Sequence, residues 1–246
     1  DNNSDGFNYT YDWRINGNSI ALVNMPFDLN GTGGSLGNWT KVLDYSSFGN
    51  HAEYNGTAAA MPRWNTTGGY NSLGAYQFDG INDHLTIPGL NKLNTTTYWF
   101  NNGTAWYHYA NASGTYYING APTTAILQAA YTDGTNTYIG RYNITSYYNG
   151  TIDQLAIYNR TLGPDQIAIM YNSGYGRYNY ISNNETRRVD SWTAAVTAID
   201  AYENSIPVTT AAVLILNSEV GAPTAQTPIN NTNTTDTTPT FIWLNG

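Results

Sequence analysis

Apolar and polar residues alternate along most of this chain, and polar clusters separate the alternating runs. A period of two predicts strands joined by turns. In the run from Trp192 to Ile199, alternation puts Trp192, Ala194, Val196 and Ala198 on one face. In the run from Thr151 to Tyr158 it groups Asp153, Leu155 and Ile157. One segment breaks the pattern: Ile167, Met170 and Tyr171 form an i, i+3, i+4 stripe after Pro164 and Asp165. Proline suits the first helical position and aspartate the positive helix end, so a short helix is expected from about Pro164 to Tyr171. The apolar run from Ala211 to Leu216 has the length of a strand, and no apolar run approaches the roughly 18 residues of a membrane span. From Ala222 to Pro239 the chain is rich in Thr, Asn and Pro, the composition of a linker. The β-prone segment Thr240–Leu244 follows it, and an apolar strand of this kind needs a cover, from its own sheet or a neighbour's.

Composition sharpens this picture. The 246 residues include 22 Tyr, 7 Trp and 24 Gly, which suits an all-β protein with aromatic faces and glycine turns. Charged residues make up 11% and the net charge is −8, which excludes the basic face that nucleic acid requires. There is no cysteine, hence no disulfide and no thiol chemistry. Asn-x-Ser/Thr sequons number 15, where about six are expected by chance from 33 Asn, 33 Thr and 13 Ser. They begin at Asn2, Asn8, Asn30, Asn38, Asn55, Asn65, Asn94, Asn102, Asn111, Asn143, Asn149, Asn159, Asn184, Asn230 and Asn233. This excess predicts an extracellular or cell-surface protein carrying covalent N-glycans.

Four stretches occur in a fixed order: Asp44-Tyr-Ser-Ser-Phe-Gly-Asn-His51, Gly74-Ala-Tyr-Gln-Phe-Asp-Gly-Ile-Asn-Asp83, Trp106-Tyr-His108 followed by Tyr116-Tyr-Ile-Asn-Gly120, and Gly150-Thr-Ile-Asp-Gln-Leu-Ala-Ile-Tyr-Asn-Arg-Thr-Leu162. Together they resemble the laminin-G-like, concanavalin A-like jelly roll over roughly Asn24 to Tyr175. Only 17 residues separate Pro88 from Trp106, fewer than that family usually has there, so the jelly roll reads as trimmed on one side. The flanks resemble an immunoglobulin-like repeat of archaeal-type surface proteins, through Tyr9-Thr-Tyr-Asp-Trp-Arg-Ile-Asn-Gly17 and Ser191-Trp-Thr-Ala-Ala-Val-Thr-Ala-Ile-Asp200. The expected fold is therefore all-β with one short helix. Residues 1–25 and 178–217 would form a discontinuous immunoglobulin-like sandwich, residues 26–177 a trimmed jelly roll, and 218–246 a linker with strands that pair with the next copy.

Jelly rolls of this shape also host glycosidases, which need two carboxylates flanking the scissile bond. The chain has four Glu (Glu53, Glu185, Glu203 and Glu219), and none pairs with an acid at i+2 or i+4 on a strand. No nucleophile elbow, His-Glu-x-x-His or P-loop occurs, and His51, His84 and His108 are scattered. No enzyme is expected. The resemblance implies one candidate cofactor, a structural Ca2+, with Asp44, Asn50 and Asp153 as ligands and Asp79 and Asp83 as weaker alternatives. It also implies glycan binding, for which Tyr142, Tyr147, Tyr148 and Trp99 are candidate stacking residues.

Two functions follow as expectations. In the first, the chain is a structural subunit or repeat of an extracellular glycosylated filament whose partners are copies of itself. These copies would join head to tail by strand donation: Phe241, Ile242, Trp243 and Leu244 would lie beside Tyr9, Tyr11 and Trp13 of the next copy, an open polymer contact. In the second, it is a lectin-like adhesin or carbohydrate-binding module of a cell-surface protein.

Overall fold

The computed structural model describes residues 7–31, 41–54, 60–173, 179–216, 224–227 and 242–244. The sequons at Asn2, Asn38, Asn55, Asn230 and Asn233, and Phe241 of the expected polymer contact, lie outside the described residues.

Among the described residues the chain is all-β with a single α-helix. Strands β1 (Asn8–Ile15), β2 (Asn18–Ser19) and β3 (Ala21–Met25) open it, followed by β4 (Arg63–Asn65), β5 (Ala75–Asp79) and β6 (Leu85–Ile87). The aromatic strands β7 (Thr95–Asn101), β8 (Trp106–Ala112), β9 (Thr115–Ile118) and β10 (Ala121–Thr123) come next, then β11 (Ala130–Thr132), β12 (Thr137–Ile139) and β13 (Asn149–Tyr158). Helix α1 (Pro164–Asn172) follows, then β14 (Ser191–Ile199), β15 (Val208–Thr209), β16 (Val213–Leu214), β17 (Thr224–Thr227) and β18 (Ile242–Leu244).

The largest sheet runs β10-β9-β8-β7-β13-β5-β4, with β3 taking over from β5 along the far half of β13. A three-stranded sheet, β11-β12-β6, supplies Ala130, Ile139, Leu85 and Ile87 to the core it shares with the large sheet. From the large sheet, Val23, Met25, Phe78, Tyr98, Tyr109, Ile152 and Leu155 fill that core. The opposite face of the large sheet is covered by α1, where Ile167 and Met170 meet Ala110, Ala112, Tyr117, Ala156 and Tyr158. Pro164 begins the helix as expected, and the freed backbone N–H of Gly163 donates to Glu185 Oε1 at 2.8 Å, while Arg160 holds the other oxygen at 3.2 Å.

Strand β13 departs from simple alternation. All of Ile152 to Tyr158 is buried, because the strand is central and covered on both faces. Its pairing with β7 shifts between Asp153 and Ala156, and Gln154 takes φ 53°. The extra residue turns the phase, so Ile152 joins Leu155 and Ile157 in the core, and Asp153 is not among that cluster. Strand β14 also differs from expectation: Trp192, Ala194, Ala195, Thr197 and Ile199 are its buried residues, so the covered face changes between Ala194 and Ala195.

The two flanks pair with each other. β1 lies antiparallel to β14 along its whole length, from Asn8 opposite Ile199 to Ile15 opposite Trp192. β15 and β16 bond the other edge of β14, and β2 bonds the end of β1. The tail segment Ile242–Leu244 pairs with Thr224–Thr227 of the same chain. The second edge of β1 is bonded as well: Ile20 N donates to Trp13 O at 2.8 Å, and Asn24 Nδ2 to Tyr11 O at 3.1 Å. A donated strand lying along Tyr11 to Ile15 would have to displace these bonds.

Candidate functional site

An open cleft of about 390 Å³ lies at one end of the large sheet. Its floor comes from four neighbouring strands: Phe100 on β7, Tyr107 on β8, Ile118 on β9 and Thr123 on β10. Strand register brings the first two together, since Phe100 sits opposite Tyr107 and their rings stack at 5.5 Å and 26°. Two connections form the walls. The segment between β10 and β11 contributes Ala125 and Leu127, and the Tyr98 hydroxyl pins it from below by donating to Leu127 O and accepting from Ala129 N, each at 2.7 Å. The loop between β12 and β13 contributes Tyr142 and Tyr148, whose rings meet edge to face at 6.1 Å.

Local backbone bonds fix that loop. Tyr142 N donates to Ser146 O, Tyr148 N donates to Gly140 O, and the Tyr148 hydroxyl donates to Asn101 O at 3.1 Å. Gly140 has φ 88°, and a Cβ there would stand 2.3 Å from the Phe78 ring, so only glycine fits. Burial pushes the Tyr148 phenol well up, and it also raises that of Tyr142. Both rings therefore remain neutral hydroxyl donors at ordinary pH. Tyr148 is buried, whereas Tyr142 is 44% exposed and free to stack on a ligand. Asn102 and Asn149 stand at the rim. Among the described residues the lining holds no carboxylate and no histidine, so these residues offer aromatic faces and amides but no acid–base pair for hydrolysis.

Of the aromatics expected to stack on sugar, Tyr142 and Tyr148 meet in this cleft and the other two lie elsewhere. Trp99 is 2% exposed, between Tyr70 and Tyr171. Tyr147 packs against the Arg141 guanidinium at 5.0 Å and against His84. Phe100, Tyr107, Ile118 and Leu127 are members that sequence reasoning missed. The aromatic alternation Tyr98/Phe100 and Tyr107/Tyr109 was a visible signal for two of them.

The residues proposed for calcium fall in three places, Asp44 with Asn50, Asp153, and Asp79 with Asp83, and all are engaged in hydrogen bonds. Asp44 is buried and accepts four hydrogen bonds: Oδ1 from the backbone N–H groups of Asn24 and Ser46, Oδ2 from Ser46 Oγ and the N–H of Asn50. Asn50 donates through Nδ2 to Leu22 O at 2.8 Å. Asp153 lies at a different turn, where it accepts from Tyr70 N at 2.9 Å. Asp79 Oδ1 caps the N–H groups of Ile81, Asn82 and Asp83, while Asp83 Oδ2 accepts from Asp79 N. With its oxygens facing four protein donors, Asp44 does not fit a cation ligand. Among the described residues no three acidic or histidine side chains converge on one point.

Ten sequon asparagines are described and none is buried. Asn30, Asn94, Asn102, Asn143, Asn149, Asn159 and Asn184 are exposed; Asn8, Asn65 and Asn111 are half-buried. Around the expected polymer contact, Tyr9 is exposed, Tyr11 and Trp13 are half-buried, and Trp13 meets Trp192 edge to face at 6.3 Å.

A family model described as "Concanavalin A-like lectin/glucanases superfamily" (Laminin_G_3) matches residues 16–168. No curated protein and no solved structure matches the chain.

Proposed function

The chain belongs to the concanavalin A-like lectin/glucanase superfamily, and on that premise we propose that it is a carbohydrate-binding module of an extracellular, N-glycosylated surface protein. The cleft carries this reading. Its aromatic floor and the exposed Tyr142 ring offer a face to a pyranose, while Asn149 and the Tyr142 hydroxyl supply amide and hydroxyl partners at the edges. The absence of a carboxylate from the lining supports binding rather than cleavage. Accessibility of all ten described sequon asparagines supports the extracellular, glycosylated setting.

A glycan array followed by calorimetry on the best saccharide tests it. Tyr142→Ala is expected to weaken binding roughly three- to tenfold, the equivalent of ~0.5–1.5 kcal/mol of lost ring contact, without lowering the melting temperature. Binding that is unchanged by Tyr142→Ala and by Leu127→Asp would remove the cleft from the argument.

One observation favours the second reading, self-assembly into a filament. From Tyr202 to Leu214 every residue is exposed, and Ile206, Val208, Val213, Leu214 and Leu216 present an apolar ribbon on the outer side of β14. β15 is the last strand of its sheet, and an open apolar edge of this kind invites a strand from another copy. In this version the acceptor is the edge formed by β15 and β16 rather than β1. Val213→Asp and Trp243→Asp should each dissolve fibres visible by electron microscopy; fibres that persist in both variants exclude this contact.

A further inference from the structure

Two of the ten described sequons share a geometry the others lack; one asparagine lines the cleft and the other follows directly on a residue that does. In Asn102-Gly-Thr104, the asparagine Oδ1 accepts from Thr104 N at 3.3 Å and from Thr104 Oγ1 at 2.7 Å. In Asn143-Ile-Thr145, Oδ1 accepts from Thr145 N at 2.8 Å, Thr145 Oγ1 at 3.1 Å and Ser146 N at 3.0 Å. The side chain thus folds back on its own sequon through oxygen alone. Among the described residues the amide nitrogen of each makes no hydrogen bond, and both asparagines are exposed. Elsewhere the nitrogen is engaged or the hydroxyl is absent from the turn. Asn94 Nδ2 donates to Asn159 O, Asn184 Nδ2 donates to Asp165, and in the Asn65 sequon only the backbone of Thr67 reaches Oδ1. Donation to Oδ1 engages the oxygen and leaves the nitrogen of each exposed side chain available for attachment.

We propose that Asn102 and Asn143 carry N-glycans and that these cover the mouth of the aromatic cleft. Attachment forms a bond from Nδ2 to the anomeric carbon of a lipid-linked saccharide phosphate. The anomeric C–O bond breaks, the phosphate leaves with the electron pair, and the amide gives up one proton. Asn102 is itself part of the cleft rim, and Asn143 follows directly on Tyr142. The first sugars on both therefore lie over the exposed ring of Tyr142 and the half-open side chain of Leu127. Such shielding keeps apolar surface from meeting other chains, and it competes with an external saccharide for the Tyr142 ring, so binding by the cleft is read on protein lacking both glycans.

Intact-glycopeptide mass spectrometry on the protein purified from its own cells tests the sites. Tyrosine nitration by tetranitromethane tests the cover. Peptides holding Asn102 and Asn143 are expected to carry saccharide. Thr104→Val and Thr145→Val should each abolish it at their own site only, while Thr104→Ser retains it. Tyr142 is expected to nitrate several-fold faster in the double valine variant than in the glycosylated protein, with Tyr131 as an internal control that does not change. Bare Asn102 and Asn143 beside glycosylated sequons elsewhere would overturn the assignment. Glycans present at both with an unchanged Tyr142 rate would overturn the cover.

Discussion

Tyr70 lies flat on Trp99, with ring centroids 3.5 Å apart and planes 10° from parallel. Tyr171 of α1 stacks on Trp99 as well, at 5.8 Å and 29°. The tryptophan thus links the large sheet, the helix and the turn from Gly69 to Gly74, which is held to β13 through the bond from Tyr70 N to Asp153. Tyr70→Ala should remove about 2–4 kcal/mol, combining lost burial with lost ring contact, and Tyr70→Phe should retain most of the stability. Urea unfolding of the two variants measures this; equal losses in both would mean that the hydroxyl, not the stack, matters.

Asp44 is a structural node of the loop after β3. Four donors from Asn24, Ser46 and Asn50 converge on one carboxylate, so Asp44→Ala leaves buried donors without an acceptor and should cost about 3 kcal/mol. Chelator should leave the melting temperature of the wild-type protein unchanged. A fall on adding EDTA, reversed by calcium, would make Asp44 a cation ligand instead.

Gly140→Ala should be among the most damaging small substitutions. The added methyl meets Phe78 at 2.3 Å and must also sit at φ 88°. A loss on the order of 3 kcal/mol is expected, together with loosening of the loop that presents Tyr142. Near-native stability in this variant would show that the loop is not packed as described.

His108 makes stability fall with acid. Burial holds its imidazole at about 3, below the ordinary 6.5. Between those values the unfolded chain binds a proton that the folded chain refuses. The contribution is therefore complete above pH 6.5 and is lost as pH falls toward 3, by up to about 1.4 kcal/mol per pH unit. His108→Phe, which keeps a ring between Trp99 and Tyr171, should remove this slope. A stability difference between the two proteins that stays constant from pH 6.5 to pH 4 would show that His108 does not titrate in this way.

Much of the architecture was legible in order along the chain. Strand alternation, the helix opened by Pro164 and the sequon pattern are local properties, carried by neighbouring residues, and four motifs in series pointed to the jelly roll. Local chemistry does not register what distant segments supply. Alternation over Thr151–Tyr158 groups Asp153 with Leu155 and Ile157, but a bulge at Gln154 inserts a residue that no periodicity reveals. Asp44 looked like a calcium ligand because the motif does not show which backbone N–H groups turn toward it; one of them belongs to Asn24, twenty positions earlier. The cleft itself is a product of register. Phe100 meets Tyr107 across one strand pair, Ile118 and Thr123 extend that row, and Tyr142 arrives from a loop forty residues away. Residue identity determined which side chains could face a ligand. Packing against the rest of the fold determined which of them do: Trp99 is withdrawn beneath α1, whereas Tyr142 is left exposed by the described residues.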